Sequence, residues 1–183
     1  MLKKTGFLKT LRNQTNIVFN SAFLKNLTHT ETYEFLQLCH RRIYQDQEMI
    51  YHIKDPGNGF YIIESGSVEL FVQNEKGTQI GSSFRLSSPD TFGNLSLSHS
   101  MRRMSSARAV DETIVLGFFK PDFEALEKRH PQIAIKLLSE INRVLAQQLE
   151  STMLELANHI GEFQSMYFQA ETFYAQNSDS PVI

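Results

Sequence analysis

The segment from Phe92 to Arg103 contains the residue types best suited to bind an anion. Gly93 lets the backbone approach a ligand closely, because glycine has no side chain. A short helix beginning near Asn94 would direct free backbone N–H groups at an anion. Arg103, on a following strand, could add a bidentate contact to the same anion. The segment therefore predicts a site that a phosphate group would fit.

Catalytic chemistry has no comparable pattern in the sequence. None of the six histidines forms a His-x-His or a helical His-x-x-x-His pair, so we expect no metal site. No nucleophile elbow and no Walker phosphate loop is present. Cys39 lies on the apolar face of a predicted helix, where we expect it to pack rather than react. We therefore expect neither an enzyme nor a cofactor. A metal-dependent barrel enzyme is the alternative, which a metal assay would detect.

Composition and charge exclude several classes of protein. The chain has 183 residues, one cysteine and 18 basic against 20 acidic side chains, so an internal disulfide framework is excluded. Its apolar runs are far shorter than the ~20 residues that span a bilayer, and we expect a cytoplasmic protein without a membrane segment. Residues 1–30 carry five bases and no acid, whereas residues 131–183 carry two bases and six acids. We therefore expect a basic leader over residues 1–16 and an acidic C-terminal stretch.

The elements that must position the anion site are strands. Seven of the nine glycines lie between residues 57 and 117, where β-branched and aromatic residues alternate with polar ones. The clearest strands cover residues 60–63 and 68–72, and Glu64–Ser67 has the composition of the turn between them. Asn74–Gly77 predicts a second hairpin turn.

Helices are predicted on both sides of this block. Thr28 and Glu31 fit a capping box, and Pro121 opens a short helix that stops before Pro131. From Pro131 to about Phe173 the sequence permits one long helix of about 60 Å. Its apolar residues recur at coiled-coil spacing, and they are Ile141, Leu145, Leu149, Met153, Leu156, Ile160, Phe163 and Tyr167. We favour a parallel seam between two subunits; the alternative is a helix folded back on its own domain.

Together these elements predict a mainly β fold with flanking helices. We expect a double-stranded, jelly-roll-like β-roll over residues 17–130, with N-terminal helices. A long C-terminal dimerisation helix over residues 131–173 and a disordered tail over residues 174–183 would follow.

Two segments of the predicted β-roll carry a resemblance to a known family. Residues 55–69, with the sequence Asp-Pro-Gly-Asn-Gly-Phe-Tyr-Ile-Ile-Glu-Ser-Gly-Ser-Val-Glu, are similar to the central hairpin of cyclic nucleotide-binding domains. Such domains occur in catabolite activator proteins, cyclic-nucleotide-dependent kinases and gated channels. Asp90–Leu97, followed by residues 103–109, resembles the phosphate-binding cassette of that family. The resemblance covers roughly residues 17–150.

The resemblance implies roles for individual residues of the cassette. Gly93, with the backbone amides of Leu95 and Ser96, would cradle a cyclic phosphate, and Arg103 would pair with it. The base would meet the long helix, where Gln148 is the preferred contact beside the candidates Gln147 and Asn142. The other interpretation of these three polar residues is a solvated helix surface.

Two positions depart from the family pattern. Asn94 stands where the family has a glutamate that accepts the ribose hydroxyl. Because a charged acceptor contributes about 1.5–3 kcal/mol and a neutral one about 1, we expect binding about tenfold weaker. Met104 replaces a small residue, and we expect its bulk to compete for the phosphate space. Ser105 shares a strand face with Arg103 and could supply a hydroxyl instead.

The resemblance predicts a regulatory module that binds cyclic AMP or cyclic GMP with weak or altered affinity and signals through its C-terminal helix. The alternative is a degenerate domain that no longer binds nucleotide and acts as a homodimeric interaction scaffold. About ten residues follow the predicted helix, too few for a helix-turn-helix, so we expect no DNA-binding domain. The expected partners are a second copy of the chain, a cyclic nucleotide and an unidentified downstream protein.

Overall fold

The structure is a computed structural model that describes residues 21, 24–74, 76–93, 97 and 101–175, with the backbone alone for 172–175. The predicted basic leader lies outside the described residues, as does the predicted tail beyond residue 175. Three residues of the predicted cassette, Asn94, Leu95 and Ser96, also lie outside them.

Ten short antiparallel strands form the β-roll, as the glycine-punctuated pattern predicts. The two strands read directly from the sequence are confirmed as the central β4 and β5. In chain order the strands are β1 (His40–Tyr44), β2 (Met49–Tyr51), β3 (Pro56–Gly57), β4 (Gly59–Ser65), β5 (Ser67–Gln73), β6 (Gln79–Ser87), β7 (Thr91–Phe92), β8 (Met101–Arg102), β9 (Ser106–Ala109) and β10 (Thr113–Phe119).

The strands are arranged in two four-stranded sheets and one short pair. One sheet has the order β1-β10-β4-β7, the other β2-β9-β5-β6, and β3 pairs with β8. Residues from both four-stranded sheets make one buried cluster, which includes Tyr51, Tyr61, Val68, Phe92 and Val115. The core of the roll therefore lies between the two sheets.

Both predicted hairpin turns are confirmed. Gly66 joins β4 to β5 with φ +85°, and a Cβ there would lie 2.6 Å from the Thr113 hydroxyl oxygen. Between β5 and β6, Gly77 has φ +79° and its N–H donates to the Asn74 carbonyl at 3.0 Å. These left-handed conformations are readily available only to glycine, and local sequence therefore specified the turns.

Four helices accompany the strands within the described residues. The Thr28–Glu31 capping box is confirmed, and the second helix ends before Pro131 as predicted. Aromatic packing joins the first helix to the sheet, with the Phe35 and Phe118 ring centroids 4.8 Å apart. The helices are α1 (His29–Leu36), α2 (Lys120–Arg129), α3 (Pro131–Ile160) and α4 (Glu162–Ala175).

The chain divides into two compact units whose boundary lies inside α3. The first unit ends at Glu140 and the second begins at Ile141. The first turns of α3 belong to the first unit because their side chains are bound there. Lys136 Nζ donates to the Glu31 carboxylate at 2.7 Å, and the Asn26 side-chain amide donates to Glu140 at 3.2 Å.

The single helix predicted over residues 131–173 is interrupted. Gly161 has φ +93°, so α3 ends at Ile160 and α4 begins at Glu162. The buried hydroxyl of Ser165 donates to the Met153 carbonyl at 3.0 Å, which means that α4 folds back along α3. The long helix is thus 30 residues, or about 45 Å, and the second unit is a helix pair. Within the described residues, none of the helices combines the length and apolar character needed to cross a bilayer.

Candidate anion-binding site

The backbone at Gly93 turns sharply just after the edge strand β7. Pairing of Phe92 with Tyr61 holds β7 against β4. Gly93 has φ +75°, and a Cβ there would lie 2.9 Å from Arg103 Nη1 and 3.1 Å from a ring carbon of Tyr61. The structure therefore brings Gly93 and Arg103 together, and only glycine allows this approach without displacing neighbouring atoms.

Arg103 is buried and held by backbone atoms at both ends. Its own N–H donates to the Asp55 carbonyl at 2.9 Å, and its carbonyl accepts from the Lys54 N–H at 2.8 Å. At the guanidinium, Nη1 donates to the Gly59 carbonyl at 2.9 Å and to the Gly93 carbonyl. The Nε atom is buried and has no hydrogen-bond partner among the described residues. The side chain is 7% exposed, so this orphaned donor is shielded from solvent.

Aromatic rings form the wall behind the guanidinium. Arg103 Cζ lies 4.5 Å from the Tyr51 ring centroid and 5.8 Å from that of Tyr61. The ring centroids of the two stacked tyrosines are 6.1 Å apart, and the Phe92 ring centroid lies 5.2 Å from that of Tyr61. Burial raises the pKa of both tyrosine hydroxyls, and the nearby Arg103 charge opposes that rise. The hydroxyls are therefore neutral near pH 7 and supply no negative charge to Arg103.

The charge balance at Arg103 differs from that of other arginines in the roll. None of the ion pairs among the described residues involves Arg103. Two other arginines of the roll each have a carboxylate partner: Arg41 bonds to Glu64 at 2.7 Å, and the half-buried Arg108 to Glu69 at 2.6 Å. A buried charge without an opposite charge costs several kcal/mol. Within the described part of the chain, the charge of Arg103 is therefore left without an opposing anion.

The structure separates the two residues that follow Arg103. Met104 is 79% exposed, and its competition with a phosphate stays a prediction. Ser105 is half-buried, and its hydrogen bond to the Tyr51 hydroxyl lowers the pKa of that group against the larger effect of burial. Its hydroxyl is therefore engaged by the aromatic wall.

The predicted base contact lies on the second unit. Gln148 is exposed on α3, and its carbonyl accepts from the Thr152 hydroxyl at 2.7 Å. Its neighbour Gln147 accepts from Arg143 at 2.7 Å. A role for Gln148 in binding a base stays a prediction.

Sequence reasoning missed the tyrosines and the Gly59 carbonyl. Tyr51, Gly59 and Tyr61 lie more than forty positions before Arg103 in the sequence, and strand pairing brings them together. The only local signal was the run of aromatic residues alternating with polar ones, which predicts burial rather than contact with a cation. In the part of the chain that the structure describes, no three histidine, cysteine, aspartate or glutamate side chains come together as a metal site.

Comparison with known proteins identifies relatives of the β-roll. The sequence model of the cyclic nucleotide-binding domain matches residues 41–130. A cyclic AMP receptor protein from Thermus thermophilus is 34% identical over 121 residues, which cover 66% of this chain and 54% of the relative. A cAMP-dependent protein kinase regulatory subunit from Schizosaccharomyces pombe is 34% identical over 84 residues, or 46% of this chain and 19% of the relative.

A solved structure of a related protein has a similar fold. The crystal structure of the Thermus thermophilus catabolite activator protein superposes with a TM-score of 0.64 at 30% identity, covering 73% of this chain and 61% of that one. The chain spans about half the length of the first of these curated relatives.

Proposed function

Since residues 41–130 belong to the cyclic nucleotide-binding domain family, we propose that this chain is a regulatory module whose site at Arg103 binds a cyclic nucleotide. The ligand is cyclic AMP or cyclic GMP, and the cyclic phosphate occupies the space beside the Arg103 guanidinium. The relatives named above are cyclic AMP receptor and kinase regulatory proteins, which favours cyclic AMP.

One observation carries this proposal: Arg103 is a buried cation whose Nε has no partner among the described residues. A singly charged phosphodiester would supply both the missing negative charge and the missing acceptor. Hydrogen bonds to charged groups contribute about 1.5–3 kcal/mol each, so the ligand would gain much of its affinity there.

The affinity is expected to be lower than in a domain with a glutamate at position 94. Asn94 is a neutral and shorter acceptor, so Asn94→Glu should tighten binding about tenfold. This variant tests the ribose contact independently of the phosphate contact.

Isothermal titration calorimetry with cyclic AMP and cyclic GMP tests the proposal directly. Linear 5′-AMP is the control, because it carries the same base on a phosphomonoester. We expect saturable heat with a cyclic nucleotide and a preference over 5′-AMP. Absence of heat at millimolar ligand, with a protein that circular dichroism shows to be folded, would refute nucleotide binding.

Signalling would follow from a population shift. The bound nucleotide would favour one placement of the helices that follow residue 120, with no need for a new contact elsewhere. Hydrogen exchange of α2 and α3 should therefore change when ligand is added. Unchanged protection under saturating ligand would exclude this mechanism.

A second candidate function, a homodimeric scaffold, is favoured by the surface of the helix pair. Eight large apolar side chains there are 42% to 68% exposed. At about half exposure, side chains of this size contribute about 100 Å² each, or about 800 Å² per copy, which is the size of a standard interface. The eight are Leu145, Leu149, Leu154, Ile160, Phe163, Met166, Tyr167 and Phe168.

We accordingly propose that a second copy of the chain covers this surface. Sedimentation equilibrium would detect the dimer. A dimer that gives no heat with either nucleotide would support the scaffold alone, whereas a dimer that binds nucleotide would support the regulatory module.

A further inference from the structure

We infer that Tyr51 is a positioning residue for Arg103: its ring holds the guanidinium in place before any ligand arrives. The consequence for affinity rests on the proposed function, because it requires an anion that Arg103 binds. The positioning itself is a property of the unliganded chain and is tested separately.

The Tyr51 ring is rigidly placed. Tyr51 ends β2, which pairs with β9 opposite Ala107. Its ring is 9% exposed and lies 6.1 Å from the Tyr61 centroid and 6.2 Å from that of Phe92. A ring fixed by a strand and by two further rings makes a firm support.

The ring and the carbonyls restrain different parts of the guanidinium. The Tyr51 ring centroid lies 4.5 Å from Arg103 Cζ, and that of Tyr61 lies 5.8 Å away. Tyr51 is therefore the nearer π-surface for the cation. The Gly59 and Gly93 carbonyls engage Nη1, and Nε is left without an acceptor among the described residues. This combination orients the group and leaves the Nε donor for an incoming anion.

Such orientation matters because arginine is a long side chain with many rotamers. Ordering it on binding would subtract from the affinity, whereas ordering it during folding removes that loss from the binding step. The ring supplies the support, and the Tyr51 hydroxyl, which bonds to Ser105, contributes only to the placement of the ring. Tyr51→Phe should therefore position the Arg103 guanidinium nearly as well as the natural protein does, whereas Tyr51→Leu should not.

Nuclear magnetic resonance of the arginine Nε–H group tests the positioning without ligand. In the natural protein we expect a separate, slowly exchanging Arg103 resonance, with side-chain protons shifted upfield by the Tyr51 ring current. An Arg103 signal at the position of exposed arginines would overturn the inference, and no variant is needed to see it.

Variants then separate positioning from stability. Tyr44→Leu is the matched control, because Tyr44 is 8% exposed in the same core cluster and makes no ring contact with Arg103 among those the structure gives. We expect Tyr51→Leu to move the Arg103 resonance towards the exposed position, while Tyr44→Leu and Tyr51→Phe leave it in place. Equal shifts in Tyr51→Leu and Tyr44→Leu would assign Tyr51 a merely structural role.

Calorimetry with cyclic AMP adds the functional measurement. Tyr51→Leu should weaken binding about tenfold or more, and Tyr51→Phe by no more than about twofold. Undiminished binding by Tyr51→Leu would contradict the effect on affinity. If the natural protein itself gives no heat, nucleotide binding fails, and the resonance of Arg103 still decides whether Tyr51 positions it.

Discussion

The β-roll and the C-terminal helix pair differ in the kind of side chain that is left without its usual surroundings. Around Arg103 the roll buries a positive charge behind tyrosine rings, with one donor unsatisfied among the described residues. The helix pair instead exposes apolar side chains that a globular unit would normally bury, such as Phe163 at 68% exposure. The proposed partners therefore differ in kind: an anion for the first feature and an apolar surface for the second.

Neither feature follows from the composition of its region. Other arginines of the roll, such as Arg41 and Arg108, pair with carboxylates, and its exposed apolar residues are few compared with its core. The described residues of the second unit form the later part of α3 and α4, a pair that has little interior in which to bury its apolar residues. The buried charge at Arg103 and the exposed apolar surface of the helix pair are both local. A substitution can therefore change one without altering the other.

The largest expected effect tests the role of the buried Arg103 charge. Arg103→Ala should weaken cyclic nucleotide binding about a hundredfold or more, because the variant loses a charge-assisted contact and a buried donor. Arg102→Ala is the matched control, since Arg102 is exposed and donates to the Lys54 carbonyl at 2.9 Å. Calorimetry should show at most about a twofold effect for Arg102. Comparable losses in both variants would mean that net charge, rather than the buried site, determines binding.

The next effect tests the proposed role of the exposed apolar surface of the helix pair. Phe163→Glu should raise the dimer dissociation constant at least about tenfold, because it places a charge in the proposed interface. Phe84→Glu on β6 is the control, since Phe84 is 66% exposed but belongs to the other unit. Sedimentation equilibrium should separate the two variants. A dimer that tolerates Phe163→Glu would place the interface elsewhere.

A smaller effect tests the turn that creates the helix pair. Gly161→Ala should lower the free energy of unfolding by about 1 kcal/mol, because φ +93° is unfavourable for an L-residue. Urea denaturation followed by circular dichroism measures this change. If helix α3 prefers to continue through residue 161, the variant would instead gain helicity and stability, and the fold-back would be shown to depend on glycine alone.

The smallest effect concerns the ion pair that holds α3 to α1. The hydrogen bond from Lys136, followed by that from the Thr28 N–H, holds the pKa of Glu31 below its usual value of 4.5. A lowered pKa in the folded state stabilises the protein above the unfolded pKa, and that contribution disappears as the pH falls through the lowered value. Glu31→Gln should therefore cost a few tenths to about 1 kcal/mol at pH 7, and the loss should shrink as the pH falls through the lowered pKa. Urea unfolding at a series of decreasing pH values checks this. A loss that does not shrink as the pH falls would point to packing rather than charge.

Predictions based on neighbouring residues were confirmed by the structure, and so was the β-roll fold. The hairpin turns at Gly66 and Gly77, the Thr28 capping box and the end of α2 before Pro131 each depend on a few consecutive residues. The uninterrupted helix predicted over residues 131–173 was wrong, because one glycine within a helical pattern does not by itself distinguish a tolerated residue from a turn.

By itself, the sequence determined the order of strands and helices, the hairpin turns, and the pairing of a flexible glycine with an arginine suited to a phosphate. Tertiary structure alone decided which arginine is buried. Arg102 and Arg103 are chemically identical and adjacent, and successive residues of an extended chain point to opposite faces. Only the pairing of β3 with β8, and the position of Tyr51 and Gly59 behind them, directs Arg103 inward and Arg102 towards solvent. The physical reason is that burial depends on which surfaces the folded chain brings together, and local sequence does not specify that.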